Sequence, residues 1–389
     1  MIAYDKILFE NTLLASQATR LENSRFISKD QLAAIHHQLP VLKSQHNFLV
    51  RIGFFLLGSF LYGSIIAAIA LFVYLSDNSS DTSFKVIALL FTLVGLGGSE
   101  FLARKKYYEF GIDDAFIIGM QMCLCVFVNE ITNGDIGVPI AMGIAGAISC
   151  LRYSNWMSAL FCCIGFTGVF FSLIVDVKLI PISFLPFIMM LVAIALYVAF
   201  YTLDINSKSY FYKNSLQMVK TFSLSLLYLS GNYLVVRELT ELVLYDEPTK
   251  KNDIPLAFLF YCFTFAIPVF YLIYGLVKKD RTMLIMGLVC FAFSVFTIRF
   301  YHSILPLEQA LTLGGIVLFI ITFLFIKKIK HKTTGLTFMP GRGADKNSLL
   351  NTEAFIIASQ LNAGQPSPTE NNIDFGGGGF SGGGSQSSF

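Results

Sequence analysis

The chain has 389 residues, of which 55% are hydrophobic and only 14% charged. Soluble domains carry roughly 25% charged residues, so this composition excludes an ordinary water-soluble globule. A net charge of +3, with no basic stripe, also argues against a nucleic-acid partner.

The first fifty residues are polar and mixed in charge, and no apolar stretch lies near Met1. That pattern predicts no cleavable signal peptide, with the first hydrophobic segment acting as an uncleaved anchor. Within this region Ser28 and Gln31 have capping-box spacing ahead of Leu32, Ala33 and Ile35, which predicts a helix that Pro40 ends or kinks.

A helix needs about 20 apolar residues to cross the hydrocarbon core. Ten segments qualify: 52–75, 84–102, 112–130, 136–152, 157–175, 181–203, 216–236, 255–277, 282–299 and 307–326. The fourth is short and rich in Gly and Ala, and a re-entrant segment would read the same way. The expected fold class is therefore all-α, a polytopic bundle of about ten spans in a lipid bilayer. With the N-terminus inside, the inner connections and the basic run after the last span hold fourteen Lys and Arg, from Arg104 to Lys332, against six in the outer ones. That asymmetry follows the positive-inside rule and places both termini in the cytosol.

After Lys327 the character changes. Residues 347–361 have the spacing of one amphipathic helix, and the stretch from Phe375 to Phe389 is Gly-rich and low in complexity. Three domains are expected: 1–50, a cytosolic helical segment; 51–327, the bundle; and 328–389, a tail through which a cytosolic or membrane protein could be engaged.

The segments ISKDQLAAIHHQLP and RIGFFLLGSFLYGSIIAAIALFVY, the stretch from Arg281 to Lys330, and LLNTEAFIIASQL with its Gly/Phe end resemble bacterial polytopic inner-membrane proteins of unknown function. The resemblance implies a multi-helix bundle in a bacterial inner membrane. It brings no activity and no catalytic residue.

Ionisable residues inside spans cost a few kcal/mol and are the natural places for function. Glu100 lies near the inner end of the second span, four residues from Arg104, so the two are expected to pair on one helix face. Asp113 and Asp114 open the third span, where carboxylates complement the helix dipole, and Asp114 is the better candidate to face the bundle. Glu130 and Arg152 end spans three and four. Arg299, His302 and Glu308 cluster before the last span, with Arg299 expected to pair with Glu308. Pro268, mid-way along the eighth span, frees a backbone carbonyl, and broken helices often mark transporter sites. Small-residue pairs such as Ser59 and Gly63 and Gly143 and Ala147, with the glycines at 95, 97 and 98, point to spans one, two and four as the bundle core.

The seven cysteines all sit in or beside apolar runs and read as small apolar side chains. His302 is the only histidine near a span, too few ligands for a non-haem iron site. No catalytic, cofactor or metal motif appears, so no cofactor is expected and the chain leans away from an enzyme. Two functions remain: transport or permeation of a small solute or ion, and a non-transporting scaffold, sensor or assembly factor working through its cytosolic termini.

Overall fold

A computed structural model describes residues 2–301 apart from 24–26, 46, 77–79, 133–135, 179–180, 206 and 245–255, with five isolated positions beyond Tyr301. Only four positions of the segment 307–326 are described, and 347–361 and the Gly/Phe end lie outside the described residues, as do His302 and Glu308.

Every element among the described residues is a helix. The elements are α1 (Lys6–Asn23), α2 (Lys29–Gln38), α3 (Phe48–Ser76), α4 (Ser80–Arg104), α5 (Ile112–Thr132), α6 (Gly137–Tyr153) and α7 (Trp156–Val175). They continue with α8 (Leu185–Asp204), α9 (Lys213–Gly231), α10 (Tyr233–Leu244), α11 (Ala257–Lys278) and α12 (Arg281–Tyr301). Seven of these are long and apolar enough to cross a membrane: α3, α4, α5, α7, α8 with the 3-10 turn before it, α11 and α12. The chain thus has the make-up of a multi-pass helical membrane protein. The fourth expected span is a 17-residue helix, α6. The seventh, expected as one helix over 216–236, is broken: α9 stops at Gly231, Asn232 adopts an extended backbone, and α10 begins at Tyr233.

α2 starts as its sequence dictates. The Ser28 hydroxyl accepts from the Gln31 amide at 3.2 Å, and the Gln31 side chain accepts from the Ser28 amide at 2.9 Å. Pro40 follows the end of this helix, where a further turn would lack its N–H.

Two groups of helices emerge. In the first, α5 packs against α3, α4 and α6, and α6 lies along α7. In the second, α9 packs against α8, α10, α11 and α12. α7 joins the two through α8 and α9. The closest approach is between α6 and α7: the space a side chain at Gly146 would need holds backbone of Ser158 and Cys162, and that at Gly165 holds backbone of Gly143. Gly95 and Gly98 let α4 meet Met120, Tyr62 and Phe116 in the same way. The first span is not in the core. Gly63 has nothing within 4 Å of the position a Cβ would take, and Leu56, Phe60 and Phe72 on α3 stay more than 60% exposed. α3 is an edge helix whose exposed apolar faces suit lipid, and α5 takes the central place expected of it.

The cysteines are free thiols, as small apolar side chains would be. An ion pair ties the second group: Lys220, within the expected span 216–236, lies in α9 at 7% exposure, paired with Asp280 and 5.4 Å above the Phe200 ring.

One end of the molecule is capped by α1. Phe9, fully buried, packs edge-on to Tyr108 at 4.9 Å and stacks on Phe211 at 5.7 Å. The Ala3 amide donates to the Arg152 carbonyl at 2.8 Å, and the Leu42 amide to the Thr12 hydroxyl at 2.9 Å. Burial pushes the Tyr4 and Tyr108 hydroxyls well above the usual tyrosine range, helped by the Asp113 charge at Tyr4 and by Glu109 at Tyr108. A folded-state value raised above the unfolded one gives stability that is complete below the unfolded value and lost as pH rises. Thermal unfolding should therefore shift to lower temperature as pH climbs past about 10. The Tyr4→Phe, Tyr108→Phe double variant should flatten that slope.

Candidate functional site: a polar cavity and the chain of side chains behind it

α5 opens at a turn that demands glycine. Gly111 takes φ 111°, and a side chain there would collide with the Arg51 carbonyl of α3. The close approach brings Arg51 over the first turn of α5. Asp113 caps that turn, accepting from the Phe110 and Gly111 amides at 3.0 and 2.9 Å, which is the dipole role its position suggested. Asp114 points into the bundle with its side chain 3% exposed. Arg51 donates to one of its oxygens from Nε at 2.9 Å and Nη2 at 2.7 Å. Asn155 donates to the other at 2.6 Å.

Asn155 is also the N-cap of α7, its side-chain oxygen accepting from the Met157 and Ser158 amides. Within the first turn of that helix, the Ser158 hydroxyl accepts from the Gln121 side-chain amide at 2.7 Å. Gln121 is fully buried, and its carbonyl oxygen has no partner among the described residues. Turning the amide over would satisfy the oxygen and leave the nitrogen without one. Gln121 stands nine residues into α5, about 14 Å along its axis, close to half a hydrocarbon layer.

On its other side Arg51 faces a cavity of about 260 Å³ beneath α1. Its Nη1 is 3.5 Å from Glu109. Glu109 also accepts from the Asn214 side chain at 3.1 Å. Thr12, Ser16 and Gln17 of α1, Ser44 and Gln45, and Lys213 complete its polar wall. A second cavity, about 280 Å³ between α7, α8, α9 and α10, is lined almost wholly by apolar side chains.

The remaining expected residues fall elsewhere. Glu100 and Arg152 are brought together: Arg152 donates to both Glu100 oxygens and the Tyr153 hydroxyl donates at 2.7 Å. The expected Glu100–Arg104 pair is thus superseded, because α6 delivers a guanidinium squarely to the carboxylate. Glu130 on α5 and Arg299 in the last turn of α12 have no ion-pair partner among the described residues. The Arg299–Glu308 pair lies outside them. Among the described residues no His, Cys, Asp and Glu group could hold a metal ion.

Pro268 sits in α11 without making a site. The carbonyl it frees is that of Thr264, and the Ser294 hydroxyl of α12 donates to it at 2.6 Å. Around it the Tyr228 and Ser294 hydroxyls share a hydrogen bond at 2.8 Å. Asn232 donates to Tyr228 and Thr297 and caps α10 through the Leu234 and Val235 amides. Helix break and kink are thus held by one satisfied neutral network, as buried polar groups require. Ser294→Ala should cost about 1–3 kcal/mol by stranding the Thr264 carbonyl. Adding Pro268→Ala should recover much of it by restoring an N–H, a double-mutant cycle that unfolding in detergent would read.

Arg51, Asn155, Gln121 and Lys220 were not singled out from sequence. Asn155 just before an apolar run is a capping signal, and Gln121 is a lone amide within one. Arg51 reads simply as the flank of a span. No family model, curated protein or solved structure matches the chain.

Proposed function

We propose that the protein is a carrier or channel for a small polar solute or ion in a bacterial inner membrane, with about ten spans and both termini cytosolic. In this reading α1, the cavity and Arg51 lie on the cytosolic side, where the basic connections collect. The observation that carries it is the continuous chain Glu109–Arg51–Asp114–Asn155–Ser158–Gln121. It runs from a polar cavity to Gln121, about 14 Å along α5, which in this reading is near the bilayer centre, and ends on an amide whose oxygen has no partner among the described residues. A purely structural core completes its buried hydrogen bonds, as the Asn232 network does, whereas a permeation path leaves groups for water or solute.

The test is thiol accessibility. Gln121→Cys in a version lacking the native cysteines should react with a membrane-impermeant maleimide from the side that carries α1, while Thr264→Cys in the closed network should not. A Gln121→Cys protein that stays unmodified from both sides removes the path, and with it the transport reading.

One feature favours the second reading, a scaffold or sensor: α2 has no fully buried residue, and apart from the half-buried Leu32 and Ile35 its side chains are exposed. A fragment of the N-terminal side or of residues 328–389 that captures a defined partner, together with an unreactive Gln121→Cys, would establish it.

A further inference from the structure

The cavity beneath α1 has a wall of two signs. Glu109 is its carboxylate, with a fifth of its side chain exposed. Arg51 shares its charge between two carboxylates: both of its short hydrogen bonds go to Asp114, and its contact with Glu109 is the longer, at 3.5 Å. Lys213, exposed, also lines the cavity and has no carboxylate partner among the described residues. Neutral amides line it too: Gln17, which donates to the Tyr210 hydroxyl at 3.1 Å, with Gln45 and Asn214. The lining holds Arg51 and Lys213 against Glu109, and Asp114, behind the wall, takes the Arg51 charge.

Such a wall selects by charge distribution. An anion would meet Lys213 and be repelled by Glu109. A cation would meet the reverse. A polyol offers no charge to either and gains nothing from the wall's two signs. A molecule with separated opposite charges and no net charge answers both. The size agrees, since about 260 Å³ is the share of roughly nine waters. The cavity is also built in advance of any ligand, because its roof is anchored by Phe9 at 0% exposure and by the Leu42–Thr12 hydrogen bond.

We propose that this cavity binds a small zwitterion of amino-acid size, its ammonium against Glu109 and its carboxylate against Lys213. The proposal deepens the transport reading by naming a class of solute, and the binding stands on the cavity alone. Arg51 then holds Asp114 in place behind the bound molecule, and the side-chain chain to Gln121 continues from that point.

The experiment uses the full chain in detergent, free of native cysteines, with Ser44→Cys as a single thiol in the cavity wall. Glycine, alanine and glutamine at millimolar concentration should slow its reaction with maleimide several-fold. Acetate, methylammonium and glycerol should leave the rate unchanged. Glu109→Gln and Lys213→Met should each abolish the protection while melting at the parent temperature. Equal protection by glycerol or by either singly charged probe overturns the proposal, as does a rate that none of the three amino acids changes. Uptake of the protecting amino acid into proteoliposomes separates the two claims. Protection without uptake keeps the binding site and removes transport, and uptake with an unprotected Ser44→Cys keeps transport and removes the site.

Discussion

Replacing Arg51 by Met should destabilise the protein by about 3–5 kcal/mol, because it strands a carboxylate in the bundle. Asp114 is only 3% exposed and owes one oxygen entirely to Arg51. Its other oxygen keeps the Asn155 amide, a neutral donor that does not balance a charge. Adding Asp114→Asn to the Arg51→Met variant removes that charge and should recover most of the loss, since an amide oxygen still accepts from Asn155. Asp114→Asn alone should cost less than Arg51→Met, because the guanidinium can turn to Glu109 from its present 3.5 Å. Unfolding midpoints in detergent for the two single variants and the pair give the coupling energy. A single-variant loss below about 1 kcal/mol would mean that the pair behaves like a solvated surface bridge.

Gly146→Val should also be strongly damaging, about 3 kcal/mol or failure to yield a monodisperse protein. The added side chain would enter backbone: the Ser158 carbonyl lies 2.8 Å and the Cys162 Cα 2.9 Å from the Cβ position. Backbone within α7 cannot move aside as a flexible side-chain tip does, so α6 would have to lift from its closest neighbour. Gly63→Val is the matched control. Nothing lies within 4 Å of that position on α3, and its effect should stay within about 0.5 kcal/mol. Size-exclusion profiles and thermal unfolding of the two variants decide the contrast. Similar losses in both would place α3 inside a tighter packing than its exposed faces show.

Most helix positions were legible because hydrocarbon imposes a simple rule, a long apolar run for each crossing. The runs 112–130, 157–175 and 282–299 coincide with α5, α7 and α12 to within two residues at either end. The break at Asn232 was not legible. An isolated Asn within an apolar run looks like a single polar defect, and only the partners on α9 and α12 hold it as a cap for α10. Packing roles were legible in part. Glycine spacing marked α4 and α6 correctly, yet the same spacing on α3 faces away from the bundle. A small residue permits close approach without summoning a neighbour. For the site, Glu100, Asp114 and Arg152 were identifiable as charged groups in spans, but their partners were not. Arg51 lies 63 residues before Asp114 and Arg152 lies 52 after Glu100, and separations of that size are set by the tertiary fold.

The bond between the Ser294 hydroxyl and the Thr264 carbonyl gives this part of the molecule a direction in which it can change over time. While Pro268 is present, the serine is the donor that completes α11, and its loss carries the full penalty of an unmet carbonyl. Once the proline has been replaced, the helix completes itself and position 294 is freer to drift. A lineage can therefore lose the proline first and the serine later at modest cost, while the opposite order passes through a damaged intermediate. Related chains should accordingly include some that keep the serine without the proline, and few that keep the proline without a hydroxyl at 294.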